Sequence, residues 1–426
     1  MKTSQLISAI LGGQFDARFA YIYGEEAVEA QKSRYAKAVE SFEEIYGKDR
    51  DAALFSVAGR TEISGNHTDH NHGCVIAASI DMDIIAVASP TEQHIIRVKS
   101  EGFREDVIDF DAFNAPLASP EGHSNELIAG VVAGFRNRGL AVGGFDAYTT
   151  SNVLKGSGIS SSAAFEDMIG NILSHFYNDG RVDNVEIAKI SQYAENVFFG
   201  KPCGLMDQVA CAVGGIVAID FADPKQPVID KIDFDFSALG YRLCIVNTGG
   251  NHADLTDDYA SVPAEMKAIA KKFGKEVLRE VNECDVMSAI PTLREEFGDR
   301  AVMRALHFYA ENKRVEKQKA ALMANDPDTF LSLVLESGRS SFCYLQNVYT
   351  TKNVSEQGLS LALCLAERTL AGKKAAWRVH GGGFAGTIQA FVPCEDVDAF
   401  CSVMNAAYGD GKCMVRRIRP VGAVKI

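Results

Sequence analysis

The spacing of apolar positions changes several times along the chain, and each change marks a change of element. Ala27, Val28, Ala30, Tyr35, Ala38, Val39, Phe42 and Ile45 share one face of a helical repeat with charge on the other, which predicts a helix over 25–47 that Gly47 stops. Runs rich in β-branched and apolar residues, broken by turn-forming residues, then predict strands over 54–58, 74–88, 94–99 and 106–110. A helix over 124–138 and a strand over 145–153 come next, followed by helices over 163–177, 185–199 and 205–213. A strand pair over 216–221 and 243–248 flanks a polar stretch, 222–240, that holds Pro224 and Pro227 and reads as a surface connection. Helices near 261–273, 299–312, 314–324, 328–337 and 355–371 precede strands over 375–379 and 387–392, a helix near 395–407 and a strand near 413–418.

A chain of 426 residues exceeds the size at which one core usually keeps growing, so two domains are expected, 1–225 and 226–426, divided in the 222–240 stretch. Apolar residues at 47% and charged residues at 23% are the balance of a folded protein. The net charge of −13 argues against a nucleic-acid surface, which needs clustered Lys and Arg. It does not argue against an anionic small ligand, because a local basic pocket and a divalent cation can dominate the field at one site. Ten cysteines without a C-x-x-C pair, several in apolar runs such as the one around Cys364, read as buried, reduced thiols. With no secretory leader and no apolar run of membrane-spanning length, the expected location is the cytoplasm.

Polar residues gather at places where this pattern expects tight or buried structure. The first runs from Gly59 and Arg60 to Gly73 between two expected strands, and contains Asn66, His67, Asp69 and His70. It combines an obligate cation, hydroxyl-binding carboxylate and amide groups, and glycines that let the backbone turn, which are the groups a sugar site requires. His67, Asp69, His70 and His72 also admit a zinc reading, although their spacing matches no standard ligand pattern, and a polar hairpin loop is the plain alternative. The second holds Gly156, Ser157, Gly158, Ile159, Ser160, Ser161 and Ser162, after a strand and opening a helix. There backbone N–H groups and the helix dipole can bind an anion and serine hydroxyls can add phosphate or Mg²⁺ contacts. The loop is neither G-x-x-x-x-G-K-[ST] nor a dinucleotide fingerprint. The third, from His380 to Thr387, satisfies G-x-G-x-x-G but runs into a strand where a dinucleotide fold needs a helix, so close backbone approach to a ligand or another loop suits it better. Between them, Asp207 sits among apolar neighbours at the start of a helix, where a lone acid is costly unless paired.

In chain order these stretches resemble the GHMP kinase superfamily and, within it, the galactokinase family. Residues 59–73 are similar to the signature G-R-x-N-x-I-G-E-H-T-D-Y-N-x-G, and Cys203-Gly204-Leu205-Met206-Asp207-Gln208 is similar to its C-G-I-M-D-Q segment. The resemblance implies an α+β, two-domain GHMP kinase fold, with an N-terminal domain of the ribosomal protein S5 domain 2 type and a ferredoxin-like C-terminal domain. It implies an ATP-dependent kinase acting on the anomeric hydroxyl of galactose, with Asp207 as catalytic base and Arg60 beside it and the transferred phosphate. Asn66, His67, Asp69, Gly204 and Tyr259 would line the sugar; Gly156 to Ser162 would wrap ATP; Ser162 and Glu195 would hold Mg²⁺. The expected partners are a sugar and ATP, with no nucleic acid, no membrane and a monomer favoured.

The chain departs from the signature at Asn66, where the family has Glu, and at His70, where it has Tyr. A neutral amide at 66 repels a carboxylate less than Glu does, which leaves a uronic acid or another galactose relative open as substrate. A kinase for galacturonate, N-acetylgalactosamine or arabinose, and a non-catalytic sugar and ATP sensor, are the alternatives. Ala58 replaces a family Pro, and near Ser124 and Leu127 no aromatic pair stands ready for adenine, whose contacts stay unassigned.

Overall fold

Residues 1–111, 124–153, 160–200, 203–250 and 255–426 are described in the computed structural model of the protein. Their strands are β1 Ala53–Ser64, β2 Cys74–Thr91, β3 Ile95–Ser100, β4 Glu105–Asp109, β5 Gly144–Ser151 and β6 Ile216–Asp220. The remainder are β7 Val228–Ile232, β8 Tyr241–Asn247, β9 Ala376–His380, β10 Thr387–Pro393, β11 Cys413–Arg416 and β12 Val424–Lys425. Among the described residues they form two sheets. In the first, the order is β12-β1-β2-β5-β3-β4, with β6 joining β2 and β7 joining β6; the second runs β11-β8-β10-β9. All pairings are antiparallel except β3 with β5.

The near-continuous apolar run of β2 follows from burial on both faces. Ile84, Ala86 and Ala88 point into a core shared with helices Ser124–Asn137, Ser161–Tyr177 and Met206–Val213, while Ile85 and Val87 point the other way. That second face is covered by helices Thr3–Leu11, Asp16–Tyr23 and Val28–Tyr46, of which the periodicity predicts the third. Alternation recurs in β8, where Leu243 and Ile245 join the first core and Cys244 and Val246 join one beneath helices Gly358–Leu370 and Val397–Tyr408.

Four readings are revised. The 222–240 stretch contains a strand, β7, which pairs with β6 and so extends the first sheet. Residues 60–64 are strand rather than loop, since β1 stays paired with β2 as far as Ser64↔Ile76. The two helices expected over 299–312 and 314–324 are one, Ile290–Met323, kinked at Gly298, where φ is 82°. Cys364 is exposed, because Leu359, Ala362, Ala366 and Leu370 form the buried stripe of its helix; Cys284, Cys343 and Cys394 are exposed as well, and all ten thiols are free. No helix among the described residues is long and apolar enough to cross a membrane.

Candidate active site

The turn after β1 exists because glycine permits it. Gly65 has φ +92°, and a Cβ there would lie 2.4 Å from the Cys74 carbonyl oxygen. The Thr68 hydroxyl ties the turn to the carbonyls of Gly65 and Cys74 at 2.8 and 2.7 Å. This carries Asn66, His67 and Asp69 to one wall of a cavity of about 200 Å³. Arg60 and Glu62 on β1, Gly204 and Asp207, and Gly381 and Gly382 line the same cavity. Gly204 makes room for Asp69, whose carboxylate oxygen would lie 2.7 Å from a Cβ at that position.

Asp207 lies in the first turn of helix Met206–Val213 and is paired, as its apolar surroundings require. Its carboxylate accepts from Arg60 Nε at 2.7 Å and Arg60 Nη2 at 2.9 Å, a two-pronged contact, and from the Ser160 hydroxyl. Ser160, left-handed at φ 56°, stands at the N-cap position of helix Ser161–Tyr177 without a side-chain capping bond, its hydroxyl being given to Asp207. The Ser162 hydroxyl is 3.3 Å from Glu195 Oε1, and Glu195 Oε2 accepts from Gln208 Nε2 at 2.9 Å, so residue 208 links this cluster to its neighbour Asp207. Glu195 stands on a π-helical turn, Ala194–Phe198, that ends helix Asn184–Tyr193. Ser161 and Ser162 also line a larger cavity of about 440 Å³ with Leu127, Phe103 and Phe165. Gly156, Ser157, Gly158 and Ile159 lie outside the described residues.

The glycine loop after β9 is gripped through its carbonyls. Asn66 Nδ2 donates to Gly381 O at 2.8 Å, His67 Nε2 lies 2.8 Å from Gly382 O, and Asn347 Nδ2 donates to Gly382 O at 3.1 Å. The Tyr259 hydroxyl donates to Gly383 O at 2.7 Å, and its ring lies 2.4 Å from where a Gly382 Cβ would stand. Such contact from both sides is what the glycines allow. Tyr259 therefore supports the rim from behind and is not among the residues lining the cavity. Burial pushes the His67 imidazole down to about 4. Burial, then the charges of Arg60 and Arg378, takes that of His380 down to about 3. His380 is held neutral by accepting the Glu62 N–H at Nε2, 3.3 Å, while Nδ1 meets the Thr387 hydroxyl at 2.7 Å.

Among the described residues, the cluster whose ligand atoms lie within 4.8 Å of one another is Cys244, Cys401 and Cys413, on the far side of the second sheet and not at His67–His72. Sequence reasoning gave no role to Glu62, Asn347 or His380, although Glu62 stands where the signature has Asn and His380 opens the third glycine-rich stretch.

Two family models match, "Galactokinase galactose-binding signature" over residues 40–90 and "GHMP kinases N terminal domain" over residues 126–215. A galactokinase of Actinobacillus pleuropneumoniae is 30% identical over 367 residues, 85% of this chain and 90% of that protein. The chain belongs to the galactokinase family. A Streptomyces coelicolor galactokinase is 29% identical over 372 residues, 87% of this chain and 92% of that one. The fold agrees with that of Lactococcus lactis galactokinase complexed with galactose, at TM-score 0.77 and 23% identity over 92% of this chain and all of that one. An L. major mevalonate kinase shares the fold more loosely, at TM-score 0.58 and 15% identity over 89% of this chain and 98% of that one. As a galactokinase-family member, the chain is an α+β phosphotransferase of the sugar-kinase type.

Proposed function

We propose that the protein transfers the γ-phosphoryl group of ATP to the anomeric hydroxyl of galactose, giving α-D-galactose 1-phosphate and ADP. The observation that carries this reading is Asp207, fixed by both prongs of Arg60 at the wall of a polar cavity and tied through Ser160 to the start of a long helix. In this reading Asp207 accepts the anomeric proton as the sugar oxygen bonds the γ-phosphorus and the bond from that phosphorus to the leaving ADP oxygen breaks. Arg60 keeps the carboxylate aligned and sets positive charge against the phosphate oxygens. His67, Asp69 and Gly204 hold the sugar, with Tyr259 acting through the glycine loop.

ATP is read as lying with its phosphates at the N-terminus of helix Ser161–Tyr177, where the first-turn N–H groups have no partner within the helix and the Ser161 and Ser162 hydroxyls stand beside them. Its base side is assigned to the larger cavity lined by Leu127, Phe103 and Phe165. Mg²⁺ suits the oxygen donors of Ser162 and Glu195, beside a buried Gln208 amide oxygen that has no hydrogen-bond partner among the described residues. When bound there, the ion would neutralise charge on the phosphate oxygens. The separate second sheet, β11-β8-β10-β9, supports a two-domain reading, but with the boundary after β7, because Val228–Ile232 belongs to the first sheet and β12 returns to it.

ADP release by the purified protein with galactose, N-acetylgalactosamine, arabinose and galacturonate tests the reading. Galactose is expected to rank first. A higher kcat/KM for another member overturns the substrate, and no ADP with any of them overturns catalysis.

A further inference from the structure

The family signature places an amide at position 62 and a carboxylate at position 66, and this chain has the reverse, Glu62 and Asn66. The two side chains touch: Asn66 Nδ2 donates to Glu62 Oε1 at 2.9 Å. A carboxylate and an amide have therefore changed places within one contacting pair, which moves the negative charge without removing it.

Asn66 has nothing left to offer a ligand. Its Nδ2 donates to Glu62 and to Gly381 O, and its Oδ1 accepts from Asn347 Nδ2 at 2.7 Å and Ser341 Oγ at 3.2 Å. These four bonds fill the capacity of a primary amide, and they fix its orientation, because a flipped amide would set N–H groups against the N–H of Asn347. Glu62 differs. It lines the cavity, its Oε1 takes the Asn66 bond, and no hydrogen bond reaches its other oxygen among the described residues. That oxygen is not among the sealed, unpartnered atoms of the structure, and the 6% exposure of the residue opens on the cavity. Burial raises the Glu62 carboxyl above its ordinary value, and Arg378 Nη2, 3.9 Å from Oε1 and without a hydrogen bond among the described residues, works against that rise.

We propose that Glu62 is the specificity-determining residue of this site, accepting a sugar hydroxyl through its unengaged oxygen, with Asn66 as the positioning residue that holds it. The proposal rests on the sugar-kinase reading above and deepens it. With Glu62, Asp69 and Asp207 on the cavity wall and Arg60 already paired to Asp207, the site refuses a uronate. This removes the opening to acidic sugars that Asn66 alone suggests.

The test compares wild type with Glu62→Gln, Glu62→Asn, Asn66→Glu and the exchanged pair Glu62→Asn/Asn66→Glu, measuring kcat and KM for galactose and KM for ATP. Glu62→Gln, nearly the same shape, is expected to raise the galactose KM about tenfold, equivalent to about 1.4 kcal/mol, with the ATP KM unchanged. The exchanged pair should recover to within about threefold of wild type, while each of its single changes falls well below it, a pattern that general destabilisation does not produce. Wild type should turn over galacturonate at least about a hundredfold less efficiently than galactose. A galactose KM unmoved in Glu62→Gln, an exchanged pair no better than its worse single change, or ready use of galacturonate each overturns the proposal. If wild type releases no ADP with galactose, the sugar-kinase reading fails and takes the proposal with it; if wild type is active and Glu62→Gln is unaffected, only the proposal fails.

Discussion

Replacing Asp207 with Asn tests the catalytic reading most directly, because the structure separates its effect on chemistry from its effect on the fold. The carboxylate takes two bonds from Arg60, at 2.7 and 2.9 Å, and a third from Ser160. An amide of the same shape offers one oxygen to the guanidinium and turns an NH₂ donor against the other prong, and it removes the base. Loss of a positioned general base alone costs about 10²–10⁴ in rate, so kcat is expected to fall about 10³-fold, close to 4 kcal/mol. Removing one partner of a fully buried ion pair costs about 3–5 kcal/mol; here the Asp207 side chain is 33% exposed, Arg60 only 8%, and the Asn oxygen still accepts from one prong, so the stability cost is about 2–3 kcal/mol. A coupled ADP-release assay gives kcat and KM, and thermal melting gives the stability. A folded Asp207→Asn protein with kcat within tenfold of wild type would refute the base assignment.

Glu195→Gln keeps the shape of the residue beside Ser162 but removes its charge; the Mg²⁺ concentration for half-maximal rate should rise about tenfold, read from a Mg²⁺ titration at fixed ATP, and an unchanged requirement would move the ion elsewhere. Gly383→Ala places a Cβ 1.9 Å from the Asn347 carbonyl oxygen at φ +81°, so a loss of about 2 kcal/mol or more in chemical denaturation is expected, together with weaker galactose binding. Stability should also fall in acid. His380 has its folded value depressed to about 3 against about 6.5 unfolded, so its contribution is complete above pH 6.5 and is lost as pH drops toward 3, on the order of 4 kcal/mol. Denaturation curves at pH 7 and pH 4.5 check this, and a His380→Gln variant should show a shallower slope between them.

Where burial is set by one element and its neighbours, the fold was legible in the residue pattern. The double-faced burial of β2 announces itself as an unbroken apolar run, and the charge-faced helix over Val28–Tyr46 as a helical repeat. Asp207 was legible too, because an acid in an apolar helix start demands a partner, and Arg60 supplies it. What could not be read locally was decided by residues far along the chain. Asn66 looks like a ligand-binding amide until Ser341, Asn347 and Gly381, some 275 to 315 positions away, take up its valences. Tyr259 and the glycine loop were each singled out, yet only the packing of one against the other shows that the tyrosine reaches the cavity through that loop. Strand β7 hid in a polar, proline-bearing segment because Val228 and Ile229 gain their partner strand only when β6 lies beside them.

Strand β12 adds to the free edge of β1, with Phe55 opposite Lys425 and Ser56 opposite Val424, and Arg419 reaches the fully buried Asp83 at 3.0 Å beside Arg34 at 2.5 Å. A ribosome therefore makes Asp83 more than 330 residues before the guanidinium that neutralises it inside the sheet. Until that arginine emerges, the first sheet holds an acid with half its counter-charge and an unclosed edge, so this sheet is completed only when the C-terminal segment has been made. Bulky fusions placed directly after Ile426, whose N–H donates to Leu54 O at 2.9 Å, press on the same seam, and an extension before Met1, whose amino group donates to Ala52 O at 3.3 Å, presses on the residues beside it.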